Sequence, residues 1–156
     1  MIRVWRLCQT GHKTSAFSGE GARRYGGRWH HKGQAAVYTA STLSLAALEI
    51  LVHVDTDLIP NDFVAFAVDI PEDKLEVAKI SSSDLPANWR KEYPPFSCQM
   101  LGSQWLVQSK TAVIAVPSAV IPEESNFILN PNHPDFAKLQ IQPAVAFYFD
   151  IRLWSN

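Results

Sequence analysis

Hydrophobic and polar positions change period several times along the chain, and each change marks a predicted element. Ile2 to Leu7 is rich in β-branched and aromatic residues and reads as a short strand. Residues 8–34 then show no periodicity and many Gly, Ser, Lys, Arg and His residues. A loop that long inside a compact domain is often functional. Ala35 to Thr39 is a second short strand. Leu43 to Val54 follows, with Leu45, Leu48, Leu51 and Val52 at helical spacing. Ala46, Ala47 and the leucines favour helix, and Ser41-Thr42 stands where a hydroxyl can cap its first turn. Phe63 to Ile70 reads as a strand closed by Pro71. Residues 72–100 are mixed: a short helix is predicted near 84–92, with a break at Pro94-Pro95. Leu101 to Lys110 is a candidate helix. Ala112 to Val116 is a continuous apolar run, the pattern of a buried central strand. Pro117, Pro122, Pro131 and Pro134 punctuate an irregular segment after it, because proline cannot donate to a ladder. Phe147 to Leu153 alternates strictly and predicts a half-buried strand.

Strands outnumber helices, and repeats, low-complexity tracts and linkers are absent from the sequence. The expectation is one compact α+β domain over residues 1–156, built on a mixed or antiparallel sheet. A formal net charge of −1 argues against bulk electrostatic binding to nucleic acid, so any basic function must be local. Cys8 and Cys98 are far apart and lack metal spacing, which suits two reduced core thiols. The N-terminus has no apolar run of signal-peptide length, and no stretch approaches the roughly 20 apolar residues that span a bilayer. These features predict a cytoplasmic protein.

Four segments hold candidate chemistry. Between Gly21 and Gly33 lie Arg23, Arg24, Arg28 and Lys32 among glycines. Glycines let backbone N–H groups approach a ligand, and arginine grips phosphate oxygens with paired hydrogen bonds. The segment suits a phosphate or pyrophosphate, or equally a solvated basic loop, since no P-loop or dinucleotide fingerprint is present. Glu49 sits in a helix that is apolar on nearly every face, where a carboxylate is costly unless partnered. It is either half of a structural ion pair, for example with an arginine, or a catalytic carboxylate in a cleft. His53, one turn later, is either an ordinary helix-end histidine, the commoner case, or a residue that orients Glu49. Ser118 ends the buried strand, as a turn former or as a site hydroxyl; it is not in a G-x-S-x-G elbow. Asn130 and Asn132 read first as turn residues, although such amides can equally bind a sugar or an amide. Neither H-E-x-x-H nor Cys/His ligand spacing occurs, so no metal site is expected.

The ordered strings Gly26-Gly27-Arg28-Trp29, Gly33, Val37-Tyr38-Thr39-Ala40 and Ser44 to Glu49 resemble the N-terminal half of a RES domain. Leu101-Gly102-Ser103-Gln104-Trp105, Val116 to Ala119, Glu124-Ser125-Asn126, Asn130-Pro131 and His133-Pro134 resemble its C-terminal half. The resemblance covers nearly the whole chain, and the middle, about 72–100, carries no motif of the family. The family is named for an arginine, a glutamate and a serine, matched here by Arg28, Glu49 and Ser118.

The resemblance implies a fold like that of ADP-ribosyltransferase toxins. It implies a toxin of a bacterial toxin–antitoxin pair that degrades NAD⁺ by hydrolysis or phosphorolysis. NAD⁺ would then be a substrate, inorganic phosphate a potential co-substrate, and no prosthetic group would be needed. The implied partner is an Xre-like helix-turn-helix antitoxin that blocks the active site; contact with DNA would come through it. On this reading Glu49 is the catalytic carboxylate and Arg28 anchors phosphates. Tyr38 stacks on nicotinamide. Ser118 hydrogen-bonds near the reacting ribose or carboxamide, and Asn126 is a further polar contact in the cleft. The rival readings are transfer of ADP-ribose to a macromolecule and a non-enzymatic nucleotide- or protein-binding module. A homodimer is an open expectation: Trp29, Trp89 or Trp154 could mark an interface, although core packing is the commoner fate of tryptophan.

Overall fold

The structure, a computed structural model, describes residues 1–54 and 62–153. In chain order its elements are β1 (Ile2–Gln9), α1 (Glu20–Tyr25), β2 (Val37–Ala40), α2 (Leu43–Leu51), β3 (Phe63–Ile70), β4 (Val77–Lys79), α3 (Phe96–Gln108), β5 (Val113–Pro117), β6 (Ser125–Leu129), β7 (Gln140–Ile141) and β8 (Val145–Phe147). The strands form one sheet in the order β4-β5-β6-β2-β1-β3-β7, with β8 also pairing on β3. β4 and β5 run parallel, and the other pairings are antiparallel. This is the α+β architecture with a mixed sheet that the strand pattern predicts.

The longest apolar strand runs became interior strands, β5 next to one edge of the sheet and β3 next to the other, with β2 at the centre. Every residue of β3 and of β5 is buried. Val4, Val37, Val68, Val113 and Leu129 are fully enclosed in one cluster on the sheet. Trp29, Trp89, Cys98 and Trp105 fill a second cluster, under α3. Trp29 and Trp89 are therefore core residues, not interface candidates, and Trp154 lies outside the described residues. Thr42 caps α2 by accepting from the Leu45 amide at 3.1 Å.

Five expectations are corrected. The stretch 8–34 is not all loop: it holds the end of β1, a 3-10 turn at Thr10–Ser15 and α1. α1 has no apolar stripe to reveal it; Glu20 pairs with Arg23 and Arg24 along its exposed face. The helix expected near 84–92 is only a 3-10 turn at Ser82–Asp84 followed by turns, since Pro86 interrupts further donors. α3 instead begins at Phe96, directly after Pro95. β6 lies in the segment expected to be irregular, because Pro122 and Pro131 flank it without interrupting it. The alternating 147–153 run is not one strand. Asp150 accepts from the Arg152 amide and guanidinium and turns the chain into a 3-10 segment, which leaves Tyr148, Ile151 and Leu153 exposed. Finally, α2 is not enclosed all round: Leu45 and Ala46 are buried while Leu48 and Val52 face outward.

Candidate active site

The sheet opens in its middle. β1 and β2 pair at Trp5↔Ala40 and then diverge, whereas β1–β3 and β2–β6 stay in full register. Parting strands would leave the Tyr38 carbonyl without a ladder partner, a costly state for a backbone group away from water. The Arg6 guanidinium fills that role, with Nη1 donating to the Tyr38 carbonyl at 3.0 Å. A cavity of about 490 Å³ occupies the opening. That volume is within the usual range for small-molecule sites. Arg6, Arg28, Tyr38, Glu49, His53 and Asn126 line it, with Glu92 and Pro94 at one side.

Glu49 reaches this wall from α2 and is held from behind. Its Oε1 accepts from the Ser118 hydroxyl at 2.7 Å and from Asn126 Nδ2 at 2.6 Å. The direction of the first bond is fixed. Ser118 Oγ already accepts from the amides of Val120 and Ile121, both at 3.1 Å, so its hydrogen must go to Glu49. Ser118 is fully buried and saturated, and it does not line the cavity. Direct contact between Ser118 and a substrate, as expected from sequence, therefore gives way to a place behind the carboxylate. Asn126 must turn its nitrogen to the carboxylate, which leaves Oδ1 buried with no partner among the described residues. Glu49 is not in an ion pair with any arginine among the described residues; a hydroxyl and an amide hold it instead. His53 lines the cavity without bonding Glu49.

Arg28 comes from the Gly26–His31 loop. Its Nη1 donates to the Trp89 carbonyl at 2.8 Å, and burial pushes its pKa below the ordinary value. The loop is bolted to α3: Ser103 Oγ accepts from the His31 amide, and Gln99 donates to the Gly27 carbonyl. Gly102 permits this contact, because a Cβ there would lie 1.7 Å from the Trp29 carbonyl oxygen. The other cations of the segment do not converge on the cavity. Arg23 and Arg24 pair with Glu20, and Lys32 is exposed. Tyr38 is among the residues that line the cavity, while its hydroxyl meets Trp29 and His30. Asn130 forms the expected turn, accepting from the Asn132 amide at 3.0 Å.

Arg6 did not stand out in the sequence, although the signal that marked Glu49 was available: a charge inside an apolar element, between Trp5 and Leu7. It is largely enclosed, its Nε has no partner among the described residues, and burial lowers its pKa. Two residues that line the cavity, Arg6 and Asn126, thus each bury one polar atom that has no partner among the described residues. Among the described residues no group of His, Cys, Asp or Glu could hold a metal ion, and no helix is long and apolar enough to cross a membrane.

The family model for the RES domain matches residues 3–150. A protein named Toxin Res from Photorhabdus laumondii is 43% identical over 151 residues, covering 96% of each chain. A second Toxin Res, from Yersinia enterocolitica, is 37% identical, covering 97% of this chain and 99% of that one. A protein named Prs ADP-ribosylating toxin from Sphingobium sp. is 34% identical, covering 96% of this chain and 94% of that one. Among solved structures, a chain of the M. tuberculosis MbcT–MbcA toxin–antitoxin complex shares the fold. Its TM-score is 0.73 at 18% identity, covering 94% of this chain and 84% of that one.

Proposed function

The chain belongs to the RES-domain family, and on that premise we propose that it is the toxin of a toxin–antitoxin pair and that it breaks the nicotinamide–ribose bond of NAD⁺. The observation that carries this reading is the clamped Glu49: two donors fix one carboxylate oxygen, on the wall of a cavity that also holds Arg6 and Arg28. Two arginines suit the pyrophosphate of a dinucleotide. A carboxylate held still in a partly dry site suits positive charge developing at a ribose carbon, as in glycoside cleavage.

Nicotinamide leaves a cationic pyridinium as a neutral molecule, so no acid is needed to protonate it. The chain's work is to hold the dinucleotide and to stabilise the oxocarbenium-like ribose. Ser118 and Asn126 keep Glu49 Oε1 occupied and so present Oε2 to the sugar. The Tyr38 ring offers a stacking face for nicotinamide. Arg6 and Arg28 bind the phosphates, or the attacking phosphate if the acceptor is inorganic phosphate. With water the products are nicotinamide, ADP-ribose and a proton; with phosphate they are nicotinamide and ADP-ribose 1″-phosphate.

A second reading, transfer of ADP-ribose to a macromolecule, is favoured by the relative named as an ADP-ribosylating toxin. The same cavity would serve, with a side chain of the target as nucleophile. For the antitoxin we propose an Xre-like helix-turn-helix protein that covers the cavity. Tyr25, Tyr93 and Phe96 stand exposed beside cavity-lining Gly26, Glu92 and Pro94 and would meet it.

The test is nicotinamide release from NAD⁺ by antitoxin-free protein, with and without inorganic phosphate, beside Glu49→Gln. Wild type should release nicotinamide. Glu49→Gln should lower kcat by about 100-fold or more with little change in KM. Phosphate dependence identifies phosphorolysis. Release only when a macromolecular acceptor is supplied would favour transfer, and no release with any acceptor would reject the reading.

A further inference from the structure

Two residues of the Arg28 loop converge on one phenol oxygen, and a third leaves room for them. The Trp29 amide donates to Tyr38 Oη at 3.3 Å, and His30 Nδ1 lies 2.7 Å from it. Gly27 leaves room for both, since a Cβ there would stand 2.7 Å from the same oxygen. The His30 ring is enclosed, with only 1% of the residue exposed. Its other nitrogen, Nε2, lies 3.0 Å from the Ala22 carbonyl of α1.

These contacts determine the tautomer. A carbonyl oxygen only accepts, so Nε2 must bear the hydrogen. In a neutral imidazole Nδ1 is then bare and accepts from the Tyr38 hydroxyl. The bonds run one way: Trp29 N–H to Tyr38 Oη, Tyr38 O–H to His30 Nδ1, and His30 Nε2–H to the Ala22 carbonyl. The chain ties the cavity wall on β2 to α1 through the loop that holds Arg28.

We propose that His30 is a positioning residue: its neutral Nε2–H tautomer fixes the Tyr38 phenol and, through it, the backbone that aims Arg28 into the cavity. This deepens the NAD⁺ reading, because it assigns substrate affinity to a residue that does not line the cavity. A proton on Nδ1 would put a hydrogen against the Tyr38 hydroxyl and force that hydroxyl hydrogen out of its bond. The groups facing the ring are Tyr38 from β2, the Ala22 carbonyl from α1 and the neighbouring His31. Burial lowers the pKa of His30; the Ala22 carbonyl opposes this and His31 adds to it. Burial raises that of Tyr38. Both groups are thus held neutral. The arrangement is intact above the ordinary imidazole range and is lost as pH falls through the lowered value.

The first arm of the test needs no activity. Long-range ¹H–¹⁵N correlation spectra of ¹⁵N-labelled protein, with His30→Asn for assignment, should show an Nε2–H tautomer that persists as pH falls through the ordinary imidazole range. Amide exchange in residues 26–31 should quicken in His30→Leu. The second arm is kinetic. His30→Leu should raise KM for NAD⁺ about five- to tenfold, the scale of one buried hydrogen bond, with kcat nearly unchanged. His30→Asn places an amide oxygen near Nδ1, cannot take up a proton, and should restore much of the affinity while abolishing the acid rise in KM. If His30→Leu does not fold, the tautomer and His30→Asn still decide. An Nδ1–H tautomer, titration in the ordinary range, or unchanged loop exchange and KM in folded variants would overturn the proposal. Failure of wild type to release nicotinamide would sink the NAD⁺ reading alone and leave the spectroscopic arm standing.

Discussion

Arg6 and Glu49 are both charges set into apolar elements, yet their partners differ in kind. Glu49 is bound by neutral donors through one oxygen, and Arg6 by a single carbonyl that a parted ladder exposes. Neither has an opposite charge in contact among the described residues, so neither charge is neutralised by an ion-pair partner there. Arg6→Gln should raise KM for NAD⁺ by about tenfold or more, with Arg6→Lys intermediate because it keeps charge but not the planar fork. Steady-state kinetics on folded variants checks this, and KM unchanged in Arg6→Gln would remove Arg6 from the substrate site. At this scale the sequence was informative about types and blind to partners. A carboxylate in an apolar helix marks Glu49 as unusual. Nothing in the spacing says that residues 69 and 77 positions away would hold it. Arg23 and Arg24 looked equal to Arg28 as loop cations, because the distinction depends on Glu20 pairing one helical turn away.

α3 is an element whose position depends on a missing atom. The carbonyl of Trp29 occupies the space of a side chain at position 102. Gly102→Ala should force the helix off the Arg28 loop, at a cost of about 1–3 kcal/mol or more. The expected result is a melting temperature several degrees lower together with a higher KM for NAD⁺. Gly21→Ala is the contrast: nothing lies within 4 Å of its Cβ position, and it sits within α1. That variant should be neutral or more stable, since alanine is the better helix former. Thermal melts of both variants read the difference directly; equal losses would mean that helix propensity, not the collision, decides. The legible elements were those with a long single period, β3, β5 and α2. β6 was missed because its apolar part is three residues long and becomes a strand only through β2 on one side and β5 on the other. The predicted final strand failed because period-two alternation cannot reveal a local contact such as Asp150 with Arg152.

Across the whole molecule, charge pairs tie the surface together in a way that acid will undo. Arg23, then Arg24, hold the Glu20 carboxyl down to about 2. Arg3 holds Asp69 below its ordinary value, Lys138 does so for Asp135 and Arg152 for Asp150. A carboxyl whose folded pKa is depressed stabilises the fold above its ordinary range, and that contribution disappears as pH falls through the folded value. His30, buried neutral, acts in the same direction at higher pH. Melting temperature should therefore decline in two stages on acidification, first below the imidazole range and then below the carboxylate range. His30→Asn should remove the first stage only, and a single carboxylate-range stage in wild type would contradict the buried neutral histidine. One feature of the site also bears on the protein's own synthesis. Arg6 lies on the first strand, Glu49 on the second helix, and the clamp on Glu49 closes only with Ser118 and Asn126. A ribosome must thus release most of the chain before the carboxylate is held. On the reading proposed for Glu49, a product cut short before Asn126 lacks the complete clamp and should release no nicotinamide, so only finished molecules would act on the cell that makes them.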